Sequence, residues 1–175
     1  GVTWTASDPI DLAAEGNYAG PSAGLKGSTH GGAIEGTVYE RANGDLRLVL
    51  RVPHGHFLEF SSRDGLKWTT PIPSVLEASD SPGTIIRLAS GRLMLVWNRY
   101  TDATTRTGRR EELSVAFSGN DGITWSTPQV VAISRTPSGE REGKHWIAYP
   151  YLFEVRPGEV WLSTMQGPLR EIGRA

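Results

Sequence analysis

A chain of 175 residues with a formal net charge of −1 can hold one domain with a real core. It carries no bulk charge to draw a polyanion, so no nucleic-acid partner is expected. It has no cysteine, which excludes disulfides and thiolate metal sites, and no apolar run long enough to cross a membrane as a helix. With 21 glycines and 11 prolines, the composition suits a turn-rich β protein.

The chain opens on Gly1-Val2-Thr3-Trp4-Thr5, inside a motif that recurs further on. It is therefore expected to be a piece of a longer or processed protein, with any targeting segment lost. A strand is expected at about Thr5–Leu12, then a Gly-, Ser- and Ala-rich loop that closes at His30-Gly31-Gly32. Loops of that length in compact domains are more often functional than idle.

From Ala33 a pattern repeats three times. Ile34–Glu40 leads through Asn43-Gly44 into Leu46–Arg51. Ser81–Leu88 leads through Ser90-Gly91 into Leu93–Asn98. Ala148–Glu154 leads through Pro157-Gly158 into Val160–Met165. Each reads as a hairpin whose apolar strands are covered on both faces. Third strands follow at His56–Ser61 and Leu113–Ser118, with another at Gly167–Ile172. Arg99–Arg110 reads as a polar hairpin loop, and no segment has a helical period.

After two of the third strands comes a shared turn. Ser61-Ser62-Arg63-Asp64-Gly65-Leu66-Lys67-Trp68 and Ser118-Gly119-Asn120-Asp121-Gly122-Ile123-Thr124-Trp125 carry Ser, Asp-Gly and Trp at identical offsets, and Gly1–Thr5 matches their end. Asn, Asp and Gly supply turn geometry, and each Trp is expected to fold over its hairpin and be mostly buried.

This turn resembles the Asp-box, or BNR, repeat of sialidases and related β-propellers, whose form is Ser/Thr-x-Asp-x-Gly-x-Thr-Trp. Arg63 and Asn120 stand at the usual Asp position, with Asp64 and Asp121 displaced next to the Gly. The resemblance implies an all-β fold, a β-propeller of the six-bladed sialidase type, present here as roughly three blades. These are the tail of one blade over residues 1–32, blades over 33–80 and 81–135, and a partial blade over 145–175. Such an arc leaves edges for the remaining blades or a second copy to cover.

In a propeller, the starts of first strands and the ends of second strands border the axis. The alignment puts Glu35, Pro82 and Tyr149 in one such place and Arg51, Asn98 and Met165 in the other. The order Glu35, Arg51, Arg110, Tyr149 is similar to that of the exo-acting sialidases. The resemblance implies Tyr149 as nucleophile, Glu35 as its base, and Arg51 and Arg110 as clamps on a substrate carboxylate. The residue types suit that chemistry. A sugar with a carboxylate on its anomeric carbon would repel a carboxylate nucleophile, and a phenol, with a pKa near ~10, needs a base and nearby positive charge. Arginine grips a carboxylate bidentately, at ~1.5–3 kcal/mol per charged hydrogen bond.

The family's first Arg and its acid Asp have no match here, so the isolated chain is expected to be inactive. Plainer roles stand beside these. Arg51 could pair with Glu59 or Glu35, Tyr149 before Pro150 could be a packed aromatic, and Arg109 could take the place of Arg110. His30 and the pair His54 and His56 could line a pocket but read as a poor metal site, so no metal is expected, and no cofactor. The expected partner is a sialylated glycan or another acidic sugar, with no membrane. The alternative is a non-catalytic BNR-repeat propeller that binds glycan or protein. A secreted or periplasmic setting follows from the resemblance alone.

Overall fold

The computed structural model describes residues 1–9, 33–53, 55–99, 110–134 and 146–166. The expected loop to residue 32, most of the Arg99–Arg110 loop, the expected strand Gly167–Ile172, and His30, His54 and Arg109 lie outside them.

Ten strands follow in order: β1 (Ile34–Glu40), β2 (Leu46–Arg51), β3 (His56–Ser62), β4 (Ile72–Glu77), β5 (Thr84–Arg87), β6 (Leu93–Trp97), β7 (Glu112–Ser118), β8 (Gln129–Ile133), β9 (Ile147–Arg156) and β10 (Glu159–Gln166). They form two four-stranded sheets, β1-β2-β3-β4 and β5-β6-β7-β8, and one hairpin, β9–β10, with every observed pairing antiparallel. Within each sheet consecutive strands pair, and turns at Gly44, Gly91 and Gly158 close the β1–β2, β5–β6 and β9–β10 hairpins within a few residues.

The sheets stack face to face. Tyr39, Val49 and Phe57 of the first sheet meet Ile85, Leu93, Leu95, Trp97 and Ala116 of the second. The second sheet's other face, with Val96, Leu113 and Val115, meets Ile147 and Leu152 of the hairpin. This explains why β6 is an unbroken apolar run. Leu93, Leu95 and Trp97 point one way, Met94 and Val96 the other, and both sides are covered. Burying one such side chain is worth about 1.5–3 kcal/mol.

The two turns are built alike. In the first, the Ser62 hydroxyl accepts from Gly65 N (2.9 Å), and Asp64 Oδ1 accepts from Leu66 N (2.8 Å) and Lys67 N (2.9 Å). In the second, the Ser118 hydroxyl accepts from Gly122 N (2.9 Å), and Asn120 Oδ1 accepts from Thr124 N (2.9 Å). The residue after each Trp then bonds back to the third strand, Thr69 N to Ser61 O and Ser126 N to Phe117 O. Trp68 and Trp125 thus occupy equivalent places.

Two expectations need correction here. Asp64 and Asn120 are the equivalent acceptors, so Arg63 does not stand at the Asp position; the first turn is one residue shorter. Asp121 bonds outside its own turn, to Ala42 N (3.1 Å) and to the Arg87 guanidinium (2.6 Å).

Trp4 is also not buried. It is 90% exposed, whereas Trp68 and Trp125 are half-buried against core clusters. Thr5–Pro9 form no strand, although Asp8 N bonds Leu66 O at 2.9 Å.

Candidate functional site

Glu35 and Tyr149 share an unusual backbone. Each has φ of 55°, in the left-handed region that side chains other than glycine rarely enter. Each sits at an irregularity of pairing. Between Ile34↔Arg51 and Thr37↔Val49, β1 carries one residue more than β2. Between Ala148↔Met165 and Tyr151↔Ser163, β9 carries one residue more than β10. These are β-bulges, which break the alternation and re-aim a side chain. Gly36 follows one of them, where a Cβ would come within 2.5 Å of Leu50 and 2.7 Å of Leu48.

The bulges bring together residues far apart in sequence. The Tyr149 hydroxyl donates to Glu35 Oε1 at 3.1 Å, across 114 residues. The other Glu35 oxygen, Oε2, accepts from Arg51 Nη1 at 2.5 Å. Arg51, only 6% exposed, donates from Nε to Asp80 Oδ1 at 2.6 Å. Arg110 donates from Nη2 to the Asp80 carbonyl at 3.1 Å, and its guanidinium carbon lies 5.2 Å from the Tyr149 ring centre and 5.3 Å from that of Trp146. Those are cation–π distances.

All four residues singled out from the sequence, Glu35, Arg51, Arg110 and Tyr149, therefore meet in one cluster. Arg51 is buried between Glu35 and Asp80, and neither an open sheet surface nor Glu59 supplies its partners. Pro82 and Met165 make no bond in this cluster. Asn98 lies beneath it, fully buried. Its Nδ2 donates to Glu112 O (2.9 Å) and Ile147 O (2.8 Å), and its Oδ1 accepts from the Ser81 hydroxyl (2.6 Å).

Sequence reasoning missed two residues, Asp80 and Trp146. Asp80 precedes Ser81-Pro82-Gly83 just as residue 33 precedes Ile34-Glu35-Gly36. That offset put Asp80 at the same rim and was the signal available for it.

The electrostatics follow from burial. Desolvation alone would pull the Arg51 guanidinium down, but its hydrogen bonds to Asp80 and Glu35 outweigh this and hold it above its ordinary range. Arg51 is thus charged at any working pH. A carboxylate that accepts from a phenol can also take its proton, and the Arg110 cation over the ring is attracted by the negative face of the aromatic system. Among the described residues no group of His, Asp and Glu has a metal site's composition. A surface cleft of about 470 Å³ beside the first turn, lined by Asp45, Asp64 and Trp68, shares no residue with the cluster.

A family model described as a BNR repeat-like domain matches residues 1–162. No curated protein matches the chain. Among solved structures, an alpha-L-arabinanase from Penicillium chrysogenum complexed with arabinobiose is 16% identical, with a TM-score of 0.49; the match covers 70% of this chain and 38% of that one. A protein of unknown function from Dyadobacter fermentans is also 16% identical, with a TM-score of 0.43, and the match covers 80% of this chain and 52% of that one. The matched region is thus about half or less of either structure. Likeness at this level says nothing about substrate.

Proposed function

The chain belongs to the BNR repeat-like domain family, and we propose that it is the part of a sialidase-like, six-bladed propeller glycoside hydrolase that carries the nucleophile and its base. One observation carries this reading: the hydrogen bond from the Tyr149 hydroxyl to Glu35, made between two separate sheets by two bulged residues. A packed structural tyrosine needs neither a left-handed backbone nor a carboxylate partner. In this reading Glu35 takes the phenol proton as Tyr149 attacks the anomeric carbon of a terminal sialic acid. Arg51 holds Glu35 in place, and Arg51 and Arg110 face the substrate carboxylate. The acid that protonates the leaving oxygen has no matched residue here, and that step is commonly worth ~10²–10⁴ in rate.

A second reading has one observation in its favour. Arg51 lies between two carboxylates and is almost wholly covered, so as it stands it offers little to a ligand. A non-catalytic propeller that binds glycan or protein would need no more of Arg51 than that.

The test uses purified, folded residues 1–175 with free sialic acid and an aryl sialoside. Sialic acid should shift the ring resonances of Tyr149, and Arg110→Ala should abolish the shift, while the aryl sialoside is not turned over at a useful rate. Turnover that vanishes in Tyr149→Phe would show the chain to be a complete catalyst. A folded chain that binds no acidic sugar would overturn the assignment.

A further inference from the structure

The arginine that touches Glu35 is gripped from its far side by a residue with no part in the chemistry above. We infer that Asp80 is a positioning residue: its carboxylate fixes Arg51, and through Arg51 it fixes Glu35, according to how the sheets are stacked. This rests on the reading of Glu35 and Tyr149 as the reacting pair.

Three observations carry the inference. First, Asp80 holds both arginines by different atoms. Its Oδ1 accepts from Arg51 Nε at 2.6 Å, and its backbone carbonyl accepts from Arg110 Nη2 at 3.1 Å. Second, Arg51 uses its fork in opposite directions, Nε toward Asp80 and Nη1 toward Glu35. A guanidinium is planar and rigid, so an acceptor on Nε sets the angle at which Nη1 meets its own.

Third, Asp80 is itself anchored. It sits at the tip of a tight turn between the first and second sheets, where Ser81 N bonds Ser79 O at 2.7 Å. Ser79 N bonds Asn98 O at 3.0 Å, and the Ser81 hydroxyl bonds Asn98 Oδ1 at 2.6 Å. Asn98 in turn holds Ile147 O, two residues before Tyr149. One path of short bonds therefore runs from the strand of Tyr149, through Asn98 and Asp80, to Arg51 and Glu35, and it closes at the Tyr149 hydroxyl. The side chain of Asp80 is 13% exposed, so water competes poorly for Arg51.

The test separates positioning from mere stability. In the whole chain, the Nε–H of Arg51 should be protected from solvent exchange in NMR spectra tuned to arginine side chains. Asp80→Ala should remove that protection but leave Arg110 in place, because the carbonyl remains. Asp80→Asn should restore it, since an amide oxygen still accepts from Nε.

The functional arm measures affinity for a sialic-acid glycal. Asp80→Ala should weaken it about 10-fold or more, since a misplacement near 1 Å can cost ~10²-fold. In an Arg51→Lys background, where no fork remains to orient, Asp80→Ala should add almost nothing. Unchanged Nε–H protection in Asp80→Ala, or a full further loss on top of Arg51→Lys, would overturn the inference. If the unaltered chain does not bind the glycal, the sialidase reading fails, and the Nε–H result still decides whether Asp80 positions Arg51.

Discussion

At the scale of single residues, the backbone marks where local preference gives way. Glu35, Asp121 and Tyr149 have positive φ without being glycine. Such conformations cost about 1–3 kcal/mol each and persist only where surrounding contacts over-determine them. At Glu35 and Tyr149 those contacts are the cluster itself. At Asp121 they are Ala42 N, Arg87 and the Tyr39 hydroxyl, which donates to Asp121 O at 3.4 Å. The neighbouring Gly122 has φ of 79°, and a Cβ there would lie 2.3 Å from Tyr39 Oη. Gly122→Ala should therefore cost about 2–4 kcal/mol, from the left-handed backbone plus overlap with a buried ring. Tyr39→Phe, which removes the clashing oxygen, should recover most of the overlap and leave about 1 kcal/mol of backbone cost. Denaturant unfolding of the two single variants and the double variant checks this. Equal costs in both backgrounds would mean that Tyr39 is not the obstacle.

At the scale of elements, the two turns do one job with different chemistry. In the first the loop acceptor is Asp64, a carboxylate held below its usual range by hydrogen bonds from the Lys67 and Leu66 amides. In the second it is Asn120, which does not titrate. A carboxyl depressed in the folded state adds stability above its unfolded value, here 3.8, and that stability is lost as pH falls through the folded value. Acid should therefore loosen the first turn and spare the second. Amide exchange, corrected for intrinsic pH dependence, should rise at Leu66 and Lys67 below about pH 4 and stay flat at Thr124. Asp64→Asn should make the first turn behave like the second. Acid reaches the second unit by another route: Asp121 is also held low, first by its hydrogen bond to Arg87, so Ala42 N should lose protection there.

At the scale of the whole molecule, the last hairpin is covered on one side only among the described residues. Ile147 and Leu152 are buried toward the second sheet, while Tyr151 (66% exposed), Phe153 (58%) and Trp161 (64%) face outward on adjacent strands. Phe153 pairs directly with Trp161, so the apolar surface is continuous. A patch of that kind on a lone chain invites association. Isolated residues 1–175 should self-associate reversibly in sedimentation velocity, and Phe153→Lys with Trp161→Lys should shift the population to monomer. A strictly monomeric chain at high concentration would show that this face needs no cover.

Much of this was written locally. Alternating apolar residues between Gly turns determined the hairpins and the third strands, because strand period and turn chemistry are properties of a few adjacent residues. Alignment of the hairpins placed Glu35, Tyr149 and Arg51 at strand ends, and the resemblance to the exo-acting sialidases singled them out from the other residues placed there. Three things only the tertiary structure decided. Asp80 lies 29 residues from Arg51, and no local pattern says which carboxylate a buried guanidinium will meet. Trp4 shares the end of the motif with Trp68 and Trp125 yet is exposed where they are half-buried, because burial is set by neighbours in space that the motif does not encode. The bulges that turn Glu35 and Tyr149 toward each other depend on a one-residue mismatch between paired strands. A register is a relation between two segments, so neither segment states it alone.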